Sequence, residues 1–243
     1  MSPTTENFDV LDHPVWFSLT GAHACFAIGT AEALRYPVDV APVAAFPPTL
    51  GAGTWATLAE LAGPGEMLMA TGSPDLVDRM PAGWQVALRS EAVQMIGTGV
   101  FRTAPDPEAV VLGADDVDDM LALVARTQPG PFLPQTHRLG TYLGIRRDGA
   151  LVAMAGERLR PPGWTEISTV CTDPAFRGQG LATRLMRAIS HGIDGRNDRA
   201  VLHVVGTNSA AIRLYRSLGF VPRRRIGLLG LLAPGPGGGQ VRG

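Results

Sequence analysis

An α/β fold, in which a mixed central sheet is flanked by helices, is the architecture that this 243-residue sequence predicts. Three observations carry that expectation. From Val110 onward, short β-branched runs alternate with segments of helical period. The run EISTVCTDPAFRGQGLATRLMRA, Glu166 to Ala188, joins a strand, a glycine-rich turn and a helix in that order. A second strand–turn–helix unit follows between Ala200 and Phe220.

Thr20 to Leu34 reads as a strand pair with its turn at Gly21 or Gly29, Trp55 to Ala62 as a helix and Glu66 to Thr71 as a strand. Pro74 to Met80 reads as a further helix and Val86 to Met95 as a strand, and Gly97 to Pro107, with Pro105 and Pro107, reads as a linker. Val110–Leu112 is a strand. Gly113 to Asp116 then leads into a helix whose acidic start suits the helix dipole. The Asp115–Asp119 cluster is therefore read as a solvated helix end and not as a metal site, since no His or Cys accompanies it. Prolines 129, 131 and 134 break Gln128 to Arg138 into loop or short helix. Tyr142 to Arg147 and Ala150 to Leu159 form a hairpin about Asp148-Gly149, a favoured two-residue turn. The β-branched stretch Glu166 to Thr172 suits a strand, and Pro174, which cannot donate to a ladder, closes it. Leu181, Leu185, Ala188 and Ile189 set the period of the next helix. Ala200 to Val205 is apolar enough for a buried parallel strand, and the helix Ser209 to Leu218 starts at the N-cap Asn208 and stops at Gly219. Arg223 to Leu232 is the last strand, with Arg223–Arg225 expected on an exposed face. A disordered tail is expected over 234–243.

Composition excludes several classes. A hydrophobic content of 45% supports a packed core and opposes disorder. A formal net charge of −1 argues against a general nucleic-acid or anionic-membrane binder. Two cysteines, Cys25 and Cys171, make no disulfide framework and fit a reducing cytoplasm. The polar, acidic stretch Met1 to Asp12 does not read as a secretory signal, and no apolar run reaches the roughly 20 residues of a membrane span.

The glycine turn is the most informative element. Glycines opening a helix leave backbone N–H groups unpaired at the positive end of the helix dipole, which suits a phosphate or pyrophosphate. A P-loop would need Lys-Ser/Thr after the second glycine, where Leu181-Ala182 stands. A dinucleotide fingerprint would need a third glycine where Thr183 stands. What is left, Arg-x-x-Gly-x-Ala after a β-branched strand, resembles motif A of the GCN5-related N-acetyltransferases. NSAAIRLYRSLGF, Asn208 to Phe220, resembles the motif B region of the same family. Two motifs in the family's order are more specific than either alone.

The resemblance implies a substrate pair, acetyl-CoA and an amine acceptor, with no metal, no nucleic acid and no membrane partner, in a monomer or homodimer. It implies that Arg177, Gly178, Gln179, Gly180, Leu181, Ala182 and Thr183 hold the pyrophosphate, that the backbone of Val170, Cys171 and Thr172 carries the pantetheine arm by strand addition, and that Asn208 belongs to the same cofactor-binding set. It implies Tyr215 as the acid for the departing thiolate, the alternative being an aromatic packing residue. Asn208 and Tyr215, seven residues apart, can share a helix face. Glu166, eleven residues ahead of Arg177, matches the proposed base of glycine N-acyltransferase-like members, and burial at a strand edge is expected to raise its pKa; the alternative is a solvated strand-end carboxylate. His203 is a weaker base candidate, read first as a satisfied core residue. Cys171 is read as a small buried residue without nucleophile partners. The FR47-like and glycine N-acyltransferase-like branches also imply a two-part chain: an N-terminal α/β domain, 1–105, resembling a degenerate copy of the fold, and a catalytic domain, 108–233. The preferred function is N-acetyl transfer. A longer acyl group, a catalytically weak acyl-CoA sensor and a scaffold without cofactor affinity are the alternatives, and the acceptor has no motif of its own.

Overall fold

The computed structural model describes residues 8–72, 74–99 and 102–235, and its strands there form one eleven-stranded sheet. In chain order the strands are β1 (Ile28–Thr30), β2 (Ala33–Arg35), β3 (Val43–Ala45), β4 (Met67–Gly72), β5 (Gln85–Gly97), β6 (Val110–Leu112), β7 (Tyr142–Arg147), β8 (Ala150–Glu157), β9 (Trp164–Thr172), β10 (Arg199–Val205) and β11 (Phe220–Leu232). Across the sheet they run β1-β2-β3-β4-β11-β5-β10-β9-β8-β7-β6. The β3–β4 and β10–β9 pairs are parallel and the other neighbours are antiparallel, so the sheet is mixed as expected.

The helices are α1 (Pro14–Leu19), α2 (Thr54–Ala62), α3 (Val117–Thr127), α4 (Leu181–Asp194) and α5 (Ser209–Ser217). Helix α3 packs Met120 and Leu123 against Met154 and Cys171 on one face of the sheet. Helix α4 packs Leu181 and Leu185 against Ala153 and Ala155, and Ile189 and Ile193 into a cluster shared with Leu202 and Phe220. Alternate residues of β8 thus serve opposite layers, the period-2 consequence of a strand covered on both faces. Each fully buried Leu or Ile contributes on the order of 2 kcal/mol, which holds the start of α4 against the sheet. Asp148 and Gly149 both take positive φ, 49° and 82°, in the β7–β8 turn, as that hairpin type requires.

Long-range pairing supplies what local pattern did not. Strand β5, from before the 105–108 boundary, lies between β10 and β11, so the sheet runs across that boundary. Helix α1, started by Pro14 at its first turn, and the short strand β3 were not expected. The strand pair foreseen in Thr20–Leu34 is β1–β2, turning at Ala31-Glu32 and not at a glycine. Pro74–Arg79 is a 3-10 helix, too short to sustain an α-helical nucleus. The exposed face expected for Arg223–Arg225 needs correction. Arg223 and Arg224 both bind Asp12, at 2.6 and 2.7 Å, and Arg225, which is exposed, pairs with Glu91. Asp116 and Asp119 of the acidic cluster pair with Arg146, at 2.6 and 2.7 Å. Residues 236–243 of the expected tail lie outside the described residues. Among the described residues no helix is long and apolar enough to cross a membrane.

His23 locks the N-terminal half to the loop before β7. It is buried, its Nδ1 accepts from the Tyr36 hydroxyl at 2.8 Å, and its Nε2 donates to the Leu139 carbonyl at 3.0 Å. Burial, helped by the nearby Arg160 charge and opposed by the Leu139 hydrogen bond, lowers its pKa from 6.5 to about 4. Between those values the unfolded chain binds the proton and the folded chain does not, so stability is complete above pH 6.5 and is lost as pH falls toward 4. The expected loss is at most about 3 kcal/mol. Denaturant titrations at pH 7 and pH 4.5 should show that His23→Gln removes most of this slope; an unchanged slope would place its origin elsewhere.

Candidate active site

Strands β9 and β10 pair for only half their length. The parallel register runs from Trp164↔Arg199 to Ile167↔Leu202, and beyond it Ser168–Thr172 and His203–Val205 no longer pair with each other. The two strands stay bound on their outer sides, β9 to β8 and β10 to β5. A register shift explains the fork. Met154 faces Cys171 and Gly156 faces Ser168, so Thr169 and Val170 together oppose Ala155. Thr169 takes φ of 54°, rare for a β-branched residue, at this bulge. A bulge bends its strand and often borders a functional site.

A cavity of about 590 Å³ opens in the fork. Val170, Cys171, Thr172, Arg177, Asn208 and Tyr215 line it, as does His203. The N-terminal half contributes wall residues that sequence reading did not single out, among them Val15, Val40, Val43 and Leu88. The inner edges of Ser168–Thr172 and His203–Val205 present ladder groups that a bound extended chain would satisfy.

The glycine turn continues from Arg177. Asp173 caps the 3-10 turn Pro174–Phe176 by accepting from the Ala175 N–H at 3.0 Å. Gly178 and Gly180 then take φ of 79° and 73°, and a side chain at either would project into open space. No side chain caps the start of α4. Its first N–H groups are therefore free donors at the positive end of a helix. The Leu181 side chain is only 2% exposed, so its contribution toward a ligand is its backbone N–H; Gln179, Ala182 and Thr183 flank it in the turn and first helical turn. The Arg177 Nε lies 3.4 Å from the Thr172 carbonyl. Gly178 to Thr183 do not themselves line the cavity; they follow directly on Arg177, which does. This donor set fits a diphosphate.

Asn208 caps α5, accepting from the Ala211 N–H at 3.1 Å, and faces the cavity with Tyr215. Burial, with the Cys171 sulfur nearby, raises the Tyr215 pKa to about 12, so the phenol keeps its proton at neutral pH. No hydrogen-bond partner holds its hydroxyl among the described residues. Burial pushes the Cys171 thiol up to about 11, opposite to what a nucleophilic cysteine needs.

Glu166 is where the structure departs most from the sequence reading. It is 1% exposed and does not line the cavity. Arg158 donates to it twice, Nη2 to Oε1 at 2.6 Å and Nε to Oε2 at 3.0 Å, and His203 Nδ1 donates to Oε1 at 2.7 Å. Burial alone would raise its pKa, but Arg158 and His203 outweigh it and hold the carboxyl well below its ordinary 4.5. The expected upward shift is thus reversed. His203 is engaged at both nitrogens. The Gln94 carbonyl oxygen accepts from Arg223 at 2.8 Å, which turns the Gln94 amide nitrogen toward His203 Nε2 at 3.0 Å and toward the Leu11 carbonyl at 2.8 Å. Nε2 is therefore the acceptor and Nδ1 carries the proton. Arg158 and Gln94 had no local signal: each is defined by a partner on another strand. Among the described residues no group of three or more His, Cys, Asp or Glu could hold a metal ion.

Residues 142–226 match the family described as FR47-like protein. A crystal structure from Novosphingobium aromaticivorans, assigned to the GNAT acetyltransferase family, is 38% identical, with a TM-score of 0.83 over 93% of this chain and 99% of that one. The chain belongs to the GCN5-related N-acetyltransferase family. Similarity to two named acetyltransferases is more local. The N-alpha-acetyltransferase RimI of Mycobacterium tuberculosis is 42% identical over 91 residues, 36% of this chain and 54% of that protein. A mycothiol acetyltransferase of Mycolicibacterium gilvum is 33% identical over 88 residues, 33% of this chain and 29% of that protein. The chain thus spans about half or less of these two curated relatives.

Proposed function

We propose that the protein transfers an acetyl group from acetyl-CoA to an amine in the cavity of the β9–β10 fork. The observation that carries this is the fork itself, an unpaired parallel edge ending at an uncapped helix start with two glycines at positive φ. The unpaired edge of Val170–Thr172 would take the extended pantetheine arm. Arg177, Gly178, Gln179, Gly180, Leu181, Ala182 and Thr183 would take the pyrophosphate, and Asn208 would border the same arm. The bound co-substrate supplies an activated thioester; the residues orient it and move protons.

Tyr215, protonated and with no hydrogen-bond partner for its hydroxyl among the described residues, would donate a proton to the departing sulfur. Glu166, screened from the cavity and held ionised, acts as a positioning residue: it fixes the Arg158 guanidinium and the His203 tautomer. The amine then enters as its free base. A wall without carboxylates disfavours an ammonium ion, and the proton released on attack passes to water.

Gly180→Asp should abolish acetyl-CoA binding, because its carboxylate would enter the anion site. Gly180→Asn, which tolerates positive φ without the charge, should fold and bind more weakly than the parent. Calorimetric titration of both variants checks this; equal affinity in Gly180→Asp and the parent would remove the pyrophosphate assignment.

A further inference from the structure

The cavity wall is selective in charge. Arg158 and Arg177 are its charged side chains, and no Asp or Glu lines it. A polyamine or a basic peptide would find no counter-ion there. Arg177 sits at the glycine-turn end, which leaves Arg158 as the cation within the fork.

Arg158 is held but not exhausted. Its Nε and Nη2 are bound to Glu166, and its Nη1 has no acceptor among the described residues. Arg158 lines the cavity, and its side chain is 27% exposed against 1% for Glu166. Its place is set as well. Arg158 Nη2 and His203 Nδ1 meet on the same oxygen of Glu166, at 2.6 and 2.7 Å, and His203 is the first β10 residue past the last pair with β9. Arg158 is therefore anchored at the apex of the fork. Val15, Val40, Val43 and Leu88 make the N-terminal part of the wall largely apolar, with Thr71 and Ser90 its polar members.

We propose that the acceptor is a small amine carrying a carboxylate near its nitrogen and an apolar body, an apolar amino acid being the simplest case, with Arg158 holding the carboxylate. The assignment rests on the acyl-transfer reading above. The fixed guanidinium offers a carboxylate charge-assisted hydrogen bonds without reorganisation, and the apolar wall takes the side chain. In the transfer a nitrogen–carbon bond forms and the carbon–sulfur bond breaks. The amine proton goes to water, and Tyr215 protonates the sulfur and is itself reprotonated by water.

The test is thiol release by the full chain with acetyl-CoA and five acceptors: leucine, leucinamide, isopentylamine, spermidine and a leucyl tripeptide, beside a titration with acetyl-CoA alone. Leucine should exceed leucinamide in kcat/KM by about ten-fold or more, although leucinamide has the less basic amine. In the double variant Arg158→Met, Glu166→Gln, which leaves no buried charge unpaired, the ratio should fall toward one. Equal or better use of leucinamide, isopentylamine or spermidine by the parent chain would overturn the proposal without needing the variant. Preference for the tripeptide would overturn it in favour of a polypeptide acceptor. No release with any of the five, from protein that binds acetyl-CoA, would overturn the substrate class and leave the co-substrate site standing; no acetyl-CoA binding would overturn both.

Discussion

A fragment of residues 108–235 is expected not to fold. In the intact chain β10 and β11 are not neighbours; β5 lies between them, paired with β10 from Ala92↔Val205 to Ile96↔Val201 and with β11 from Gln85↔Leu232 to Gly97↔Phe220. Without residues 85–97 the inner edges of both strands are unpaired, and β11 also loses β4. Leu229 and Leu231, buried against Leu58 and Trp84, would face water. Lost burial of a few such side chains costs on the order of 2 kcal/mol each, comparable together with the whole stability of a typical domain. Circular dichroism melts should show no cooperative transition for the fragment, and it should not bind acetyl-CoA. A cooperative melt with binding would mean that the C-terminal part closes its own sheet.

Tyr215→Phe is expected to lower kcat for thiol release by about 10²- to 10³-fold, the range of a lost general acid. The Kd for CoA should change little, because the ring remains and packs on Phe220 at a centroid distance of 6.3 Å. Since the phenol titrates only near pH 12, no fall in rate from its ionisation is expected between pH 6 and pH 10. A rise in rate over that range should instead follow the acceptor's own pKa and move when the acceptor is changed. Unaltered kcat in Tyr215→Phe would assign protonation of the thiolate to water or another group.

The parts of the fold and of the site that were legible in sequence are local. The Arg177–Thr183 turn, the Asn208 cap and the Asp148-Gly149 hairpin each need particular residues within a few positions, because positive φ and unpaired N–H groups constrain side chains directly. The parts that were not legible depend on distant partners. Nothing around Thr169 marks it as the bulge residue, since Thr is a strand former and its positive φ follows from the two-against-one pairing with Ala155. Glu166 was placed on the correct strand, but the sign of its pKa shift depends on Arg158 and His203, which the β8–β9 and β9–β10 connections bring to it. The position of β5 is of the same kind: Val86 to Met95 reads as a strand in sequence, but nothing local says which strands it joins.

On the reading proposed above, the fork and the glycine turn form an acyl-CoA site. Isothermal titration of the full chain with acetyl-CoA and with free CoA tests it most directly. Saturable binding of acetyl-CoA, abolished in Gly180→Asp, is the predicted result. Absence of binding from folded protein would contradict it, and the proposed transfer would fall with it.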